Sequence, residues 1–266
     1  MKKMFLTLII CAVSLFTFTA CDGEIPPGIA WASKDILTYE VKDGDQDAGE
    51  LQITTQRIYD EEDKYLDENL YEDADQRITM TYTFGDEQML VESLMSGMSP
   101  VATLKTVDTS QKNYTLSSYF SDNYYYYTLK ENGIETSDRI KAKGDFIDND
   151  IMYIYLRCFD LDSGFTKLLN IPDPFNNDTQ SLTARRIGTK ELTVPYPDKD
   201  KVVETIAISI ERNSTPVGES IYVYYTPEDD EYNITGSLGS LDDSKKFPVK
   251  IVENNLTFNL IEITVV

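Results

Sequence analysis

The chain has 266 residues, 41% hydrophobic and 26% charged, a balance that fits a globular fold and excludes a disordered one. Lys and Arg number 24 against 46 Asp and Glu, for a net charge of -22, and a surface of that sign repels phosphate backbones, so nucleic acid is excluded as a partner. There is no histidine, which removes His-centred triads, His metal sites and His general bases together.

Lys2 and Lys3, the apolar run of residues 4–18 and the closing Thr19, Ala20 and Cys21 read as an export signal over residues 1–20. A small residue before Cys is what lipoprotein processing requires, so Cys21 is the expected lipid-attachment residue, although Phe18 stands where Leu is usual. The run is short for a bilayer span of about 20 residues. Removing Lys2 and Lys3 leaves 22 basic residues against 46 acidic ones, a charge of -24. Residues 21–30 form a Pro/Gly tether and residues 31–266 are expected to be a single β-rich domain. The expected location is extracytoplasmic, on the cell membrane or the outer membrane. Cys11 leaves with the leader and Cys21 carries lipid, which leaves Cys158 alone and excludes a disulfide within the mature chain.

Residues 36–41 and 50–58 read as strands joined by a turn-rich connection. Asp43, Asp45 and Asp47 imitate the start of a calcium loop, but Ala48 replaces the required Gly and Thr54 the bidentate Glu, so a solvated hairpin is expected. Residues 59–76 carry nine acids against Lys64 and are expected to form an exposed excursion, with Leu66 and Leu70 pinning a short helical turn. Loose divalent-cation binding is the alternative there.

Strands are predicted at residues 77–84, 88–96, 101–108, 113–121, 124–130 and 139–145. Met80, Tyr82 and Phe84 alternate with threonines, the period of a half-buried strand. Tyr124, Tyr125, Tyr126 and Tyr127 place rings on both faces of one strand, which therefore divides a core from a cleft, or is a tolerant surface strand of high β-propensity. These four tyrosines are the candidate ligand-binding residues.

Residues 148–161 carry the clearest helical pattern: Ile151, Ile154, Tyr155, Cys158 and Phe159 recur at three- and four-residue steps, with Asp148 or Asn149 as cap. One apolar face is expected to lie across the sheet. Cys158, on that face and without a histidine partner, reads as a small buried hydrophobe. Residues 164–171 lead into an irregular crossing at residues 172–175. Strands follow at residues 182–194, 203–212, 219–226, 232–238, 247–253 and 256–265, with turns at residues 213–218, 227–230 and 254–255. The fold class is therefore mainly β, a strongly curved antiparallel sheet or half-open β-barrel with one central packing helix.

No Gly-x-Ser-x-Gly elbow, phosphate loop or Cys-x-x-Cys pair occurs. No catalytic residue, metal site or cofactor is predicted, and the chain is expected not to be an enzyme.

Gly218 with residues 221–226 (IleTyrValTyrTyrThr), an acidic turn and residues 247–251 (PheProValLysIle) resemble the closing pattern of uncharacterised bacterial envelope proteins of a DUF3108-like family. The opening residues 37–41 and 49–53, and Leu156 with Arg157, are similar as well. That family in turn resembles the LolA/LolB-like lipoprotein carriers, a curved antiparallel sheet closed by helices. The resemblance implies an open half-barrel whose concave face holds acyl chains, from which this chain departs in having one good helix. The leading expectation is thus a membrane-anchored lipoprotein binding an apolar or acyl-chain ligand in a sheet cleft. Nearly level with it is an envelope scaffold with a solid core and a protein partner, and a carbohydrate-binding protein using exposed Tyr is the third.

Overall fold

Alternating apolar and polar residues, interrupted by residues that accept positive φ, fold the chain into consecutive hairpins. The computed structural model describes residues 34–142, 144, 146–195, 200–212, 220–227 and 246–265. The first series is β1 (Lys34–Asp43), β2 (Gln46–Arg57), the short ribbon of β3 (Tyr65–Leu66) and β4 (Asn69–Leu70), β5 (Gln76–Phe84), β6 (Glu87–Ser96), β7 (Ser99–Asp108), β8 (Asn113–Ser121), β9 (Tyr124–Glu131) and β10 (Ile134–Lys141). A helix α1 (Met152–Leu156) follows, then β11 (Thr166–Asp173), β12 (Asp178–Val194), β13 (Lys201–Arg212), β14 (Ile221–Tyr225), β15 (Pro248–Glu253) and β16 (Leu256–Val265). The turns carry Asp122 and Asn123 at φ 52 and 63, Asn132 and Gly133 at 52 and 79, and Asn254 at 54. Asn, Asp and Gly tolerate that region best.

Fourteen strands form one antiparallel sheet in the order β10-β9-β8-β7-β6-β5-β2-β1-β16-β15-β14-β13-β12-β11, curled into a nearly closed barrel with a seam. The first and last strands pair in the middle of that order. The two edges, β10 and β11, are consecutive in the chain, so the link between them starts and ends at the seam. Phe146 bridges to Asn170 of β11 in parallel fashion, and the Ile147 N–H donates to the Asn170 carbonyl at 3.0 Å. Across the seam, Tyr127 Oη lies 3.4 Å from Asn177 Oδ1, and Asn177 Nδ2 donates to Asp138 Oδ2 at 3.0 Å.

The link fills the barrel. Met152, Tyr153, Ile154, Tyr155 and Leu156 are all buried, as are Ile151, Arg157, Cys158, Phe159 and Leu161. The predicted helix over 148–161 is therefore corrected to five helical residues flanked by irregular backbone. Its N-cap position is Ile151 at φ -91 and ψ 0, with no side-chain cap. Asp148 does not cap it, because its Oδ1 accepts the Asp150 N–H at 2.9 Å instead. Nor is the helix one-faced: it touches core on every side, which makes it a plug rather than a strap.

The wall supplies the polar partners that buried irregular backbone needs. Tyr225 Oη donates to the Tyr153 carbonyl at 2.7 Å, Arg186 to the Leu161 carbonyl at 2.8 Å, and Lys246 Nζ to the Phe159 carbonyl. Arg157 pairs with Asp35 of β1 at 2.8 Å, both side chains almost wholly buried, and lies 5.6 Å from the Phe247 ring centroid. Burial works against the guanidinium charge, but Asp35 beside it more than compensates and holds Arg157 above its ordinary pKa.

Several other expectations shift. The helical turn of the acidic excursion lies at Glu61–Lys64, whereas Leu66 and Leu70 belong to the β3–β4 ribbon. The strand expected at residues 139–145 is β10, ending at Lys141. The irregular crossing at 172–175 begins inside β11, where Pro172 pairs with Thr179. Pro is tolerated there because β11 is an edge. The strand expected at residues 232–238, the turn at residues 213–218 and Cys21 lie outside the described residues.

Replacing Arg157 with Ala leaves Asp35 buried and unpaired, and is expected to cost about 3–5 kcal/mol in urea unfolding. The double variant Asp35→Leu with Arg157→Met is expected to recover most of that. An Arg157→Ala protein of wild-type stability would show that the pair does not hold the plug.

Candidate functional site

Among the described residues, two small spaces adjoin the linking segment. At one end is a cup of about 390 Å³, floored by Phe146 and Tyr155 and rimmed by Ser99, Asp122 and Asn123. Beside the seam is a pocket of about 180 Å³ reached by Lys105, Tyr114, Tyr125, Asp148, Asp150 and Phe175. Charged groups cross it: Lys105 Nζ contacts both carboxylate oxygens of Asp150 at 2.8 Å. Burial raises the Asp148 carboxyl to about 6, and the neighbouring Asp150 charge adds to it, against the Asp150 N–H, Lys105 and Thr103. Burial likewise raises the Cys158 thiol to about 12, so it is no nucleophile at neutral pH. Among the described residues no group of three or more His, Cys, Asp or Glu is arranged to hold a metal ion.

Outside the barrel lies a larger groove, of about 870 Å³, over the outer face of β8, β9 and β10. Its floor follows from strand register. The two-residue turn at Asp122 and Asn123 sets Ser121 opposite Tyr124, hence Tyr119 opposite Tyr126 and Ser117 opposite Thr128, which in turn faces Ser137. The Tyr119 and Tyr126 rings stack, with centroids 4.8 Å apart and planes within 7°. Arg139 stands opposite Tyr126 in the register and lies 4.7 Å from the Tyr124 ring centroid, so one guanidinium packs beside two tyrosines. Thr128 Oγ1 and Ser137 Oγ share a hydrogen bond at 2.9 Å.

The groove's side wall is the excursion between β2 and β5, which contributes Asp67, Asn69, Leu70 and Tyr71. Leu66 and Ala74 bury themselves against Leu94 and Ala102 on the outer face of β6 and β7. Arg77 donates to the carbonyls of Asp63 and Tyr65, each at 3.2 Å. An acidic stretch expected to be a solvated loop is thus fixed to the sheet by its few apolar residues.

The four candidate tyrosines divide by strand alternation. Tyr125 and Tyr127 face inward, buried in a cluster with Val107, Leu116, Ile140 and Phe146, while Tyr124 and Tyr126 face out. Tyr119 and Tyr71 join the outer pair and were not among the sequence candidates. The signal for Tyr119 was the Asp122-Asn123 turn, from which its register opposite Tyr126 follows. Nothing local in the sequence brings Tyr71 to this groove.

No family model matches the chain, and no curated protein matches it. Among solved structures it is similar to the crystal structure of a beta-barrel-like protein of a domain of unknown function, DUF1849, from Brucella abortus. That similarity has a TM-score of 0.48 at 8% identity and covers 89% of this chain and 99% of that one.

The raised Asp148 pKa has a definite pH sign. A carboxyl whose folded value lies near 6, against 3.8 for an ordinary Asp, contributes stability that is complete below about pH 4 and lost as pH rises through 6. Asp148→Asn keeps the acceptor for the Asp150 N–H and loses the titration. At pH 7.5 the Asn variant is expected to equal or exceed the wild type by about 1–3 kcal/mol, and at pH 4.5 the gap should close. Calorimetry of both proteins at the two pH values checks this; parallel pH profiles would sink it.

Proposed function

We propose that the protein is a non-enzymatic, lipid-anchored module of the cell envelope, solid inside, that holds its ligand or partner on the outer face of the sheet. One observation carries the reading. The interior that an acyl-chain carrier would keep open is occupied by residues 151–161 of the chain itself, tied to the wall through Tyr225, Lys246, Arg186 and the Arg157–Asp35 pair. The spaces left over are small and rimmed or crossed by polar groups, unlike the predominantly apolar lining of a lipid site.

Anchoring rests on the leader and on Cys21, and the excess of acid over base would keep the domain off an anionic bilayer surface. The absence of histidine and the burial of Cys158 argue against hydrolytic or thiol chemistry. The resemblance to DUF3108-like envelope proteins, and through them to LolA/LolB-like carriers, is on this reading a matter of the curved sheet. The plug stands where a carrier would have its hollow.

Full-length protein extracted in mild detergent and examined by native mass spectrometry is expected to carry the acyl groups of its own N-terminus and nothing else. Cys21→Ser is expected to lose those groups and the membrane fraction with them. A further lipid retained by the Cys21→Ser protein would restore the carrier reading.

A further inference from the structure

We propose that the outer groove over β8, β9 and β10 binds a neutral polysaccharide chain, packed against Tyr119 and Tyr126 and hydrogen-bonded by the hydroxyls and amide around them. This rests on the reading that the ligand is held outside the barrel, and names its class.

The aromatic part of the groove is built and costly to leave bare. Tyr119 is 43% exposed although its ring is already stacked on Tyr126, and Arg139 packs beside Tyr126 and Tyr124 from the next strand. A ring presents a partial negative face and a phenolic hydroxyl at its edge. The C–H face of a pyranose, weakly positive and apolar, packs on the former while its hydroxyls reach the latter. Around the rings stand short uncharged polar side chains, Thr115 and Ser117 on β8, Thr128 on β9 and Ser137 on β10, with Asn69 on the wall. Three adjacent strands span roughly 10 Å, so the floor is wider than a single side chain and runs across the strands.

Charge selects among hydroxyl-rich ligands. The chain as a whole carries -22, which repels a polyanion at long range. Of the charged residues that line the groove, Lys130 is paired with Glu135 at 3.3 Å and Asp138 accepts from Asn177 Nδ2, so neither is offered to a polyanion or a polycation. A polycation would find stronger attraction at residues 60–63. The wall is preorganised, because Leu66 and Ala74 are already buried against the sheet, so ligand binding need not order it.

The test is affinity electrophoresis of the full-length protein in mild detergent through native gels containing laminarin, dextran or galactomannan. At least one of the three is expected to retard the wild type, equally at low and high salt. Replacing both Tyr119 and Tyr126 with Ala is expected to weaken retardation about tenfold or more. Thr128→Arg fills the floor while leaving both tyrosines in the sequence and is expected to do the same; circular dichroism verifies that both variants are folded. Silence of all three polysaccharides overturns the proposal, as does retardation unchanged in the folded variants, or retardation abolished by salt, which would mark a charged partner. Interior lipid on the purified protein would instead remove the parent reading, whereas a lipid-free protein silent toward polysaccharides removes this inference alone.

Discussion

The structure depends on a topological constraint: the two edges of the fourteen-stranded sheet follow one another in the chain, so whatever joins β10 to β11 begins and ends at the open seam. A sheet of that size curls through its own twist, and its concave side must be filled by something. Here the linking segment fills it, and this explains an otherwise odd composition. Residues 151–159 are apolar on all sides because all sides meet the wall, apart from Arg157, whose charge is met by Asp35 in the central strand β1. Irregular backbone in such a place leaves carbonyls that cannot reach water. Tyr225, Lys246 and Arg186 reach inward to accept that duty, each from a strand or strand end of the C-terminal half.

Most of the strand pattern was legible because period-two alternation and Asn, Asp or Gly at turns are local signals. The turns at Asp122-Asn123, Asn132-Gly133 and Asn254 take the positive φ that those residues tolerate. The helix was overestimated for a physical reason. Ile151, Ile154, Tyr155, Cys158 and Phe159 fit a helical face, but the intervening Met152, Tyr153 and Leu156 are buried as well. An apolar run without a polar face satisfies any period, and only the space inside the barrel and the donors around it decide how much becomes helix. The acidic excursion was legible as exposed but not as attached. Its turn places Asp67 and Glu68 at φ 47 and 64, and Glu is an unusual residue there. Its attachment through Leu66 and Ala74 depends on strands distant in sequence.

The tyrosine run in β9 illustrates how one strand serves two environments. Tyr125 and Tyr127 help to close the interior beside Phe146, while Tyr124 and Tyr126 join Tyr119 outside. A slip of register by one residue would exchange the two sets. The two-residue turn before Tyr124 fixes that register, so the same four residues that form the core on one side determine the shape of the groove on the other. Changes to the inner pair therefore propagate to the outer face through the backbone they share.

Placement of the groove relative to β1 follows from the same strand order. β1, the first of the described strands, lies seven steps from β10 in a ring of fourteen, which is half-way round the barrel. On a lipid-anchored chain that arrangement turns the β8–β10 face away from the strand nearest the attachment point. The plug gives this geometry its rigidity, because Lys105, one strand from the groove floor, holds Asp150 just before the helix while Asp35 in β1 holds Arg157 just after it. β7 and β1, four strands apart in the sheet order, are thereby joined through the plug, and the outer face over β8 to β10 keeps a fixed relation to β1.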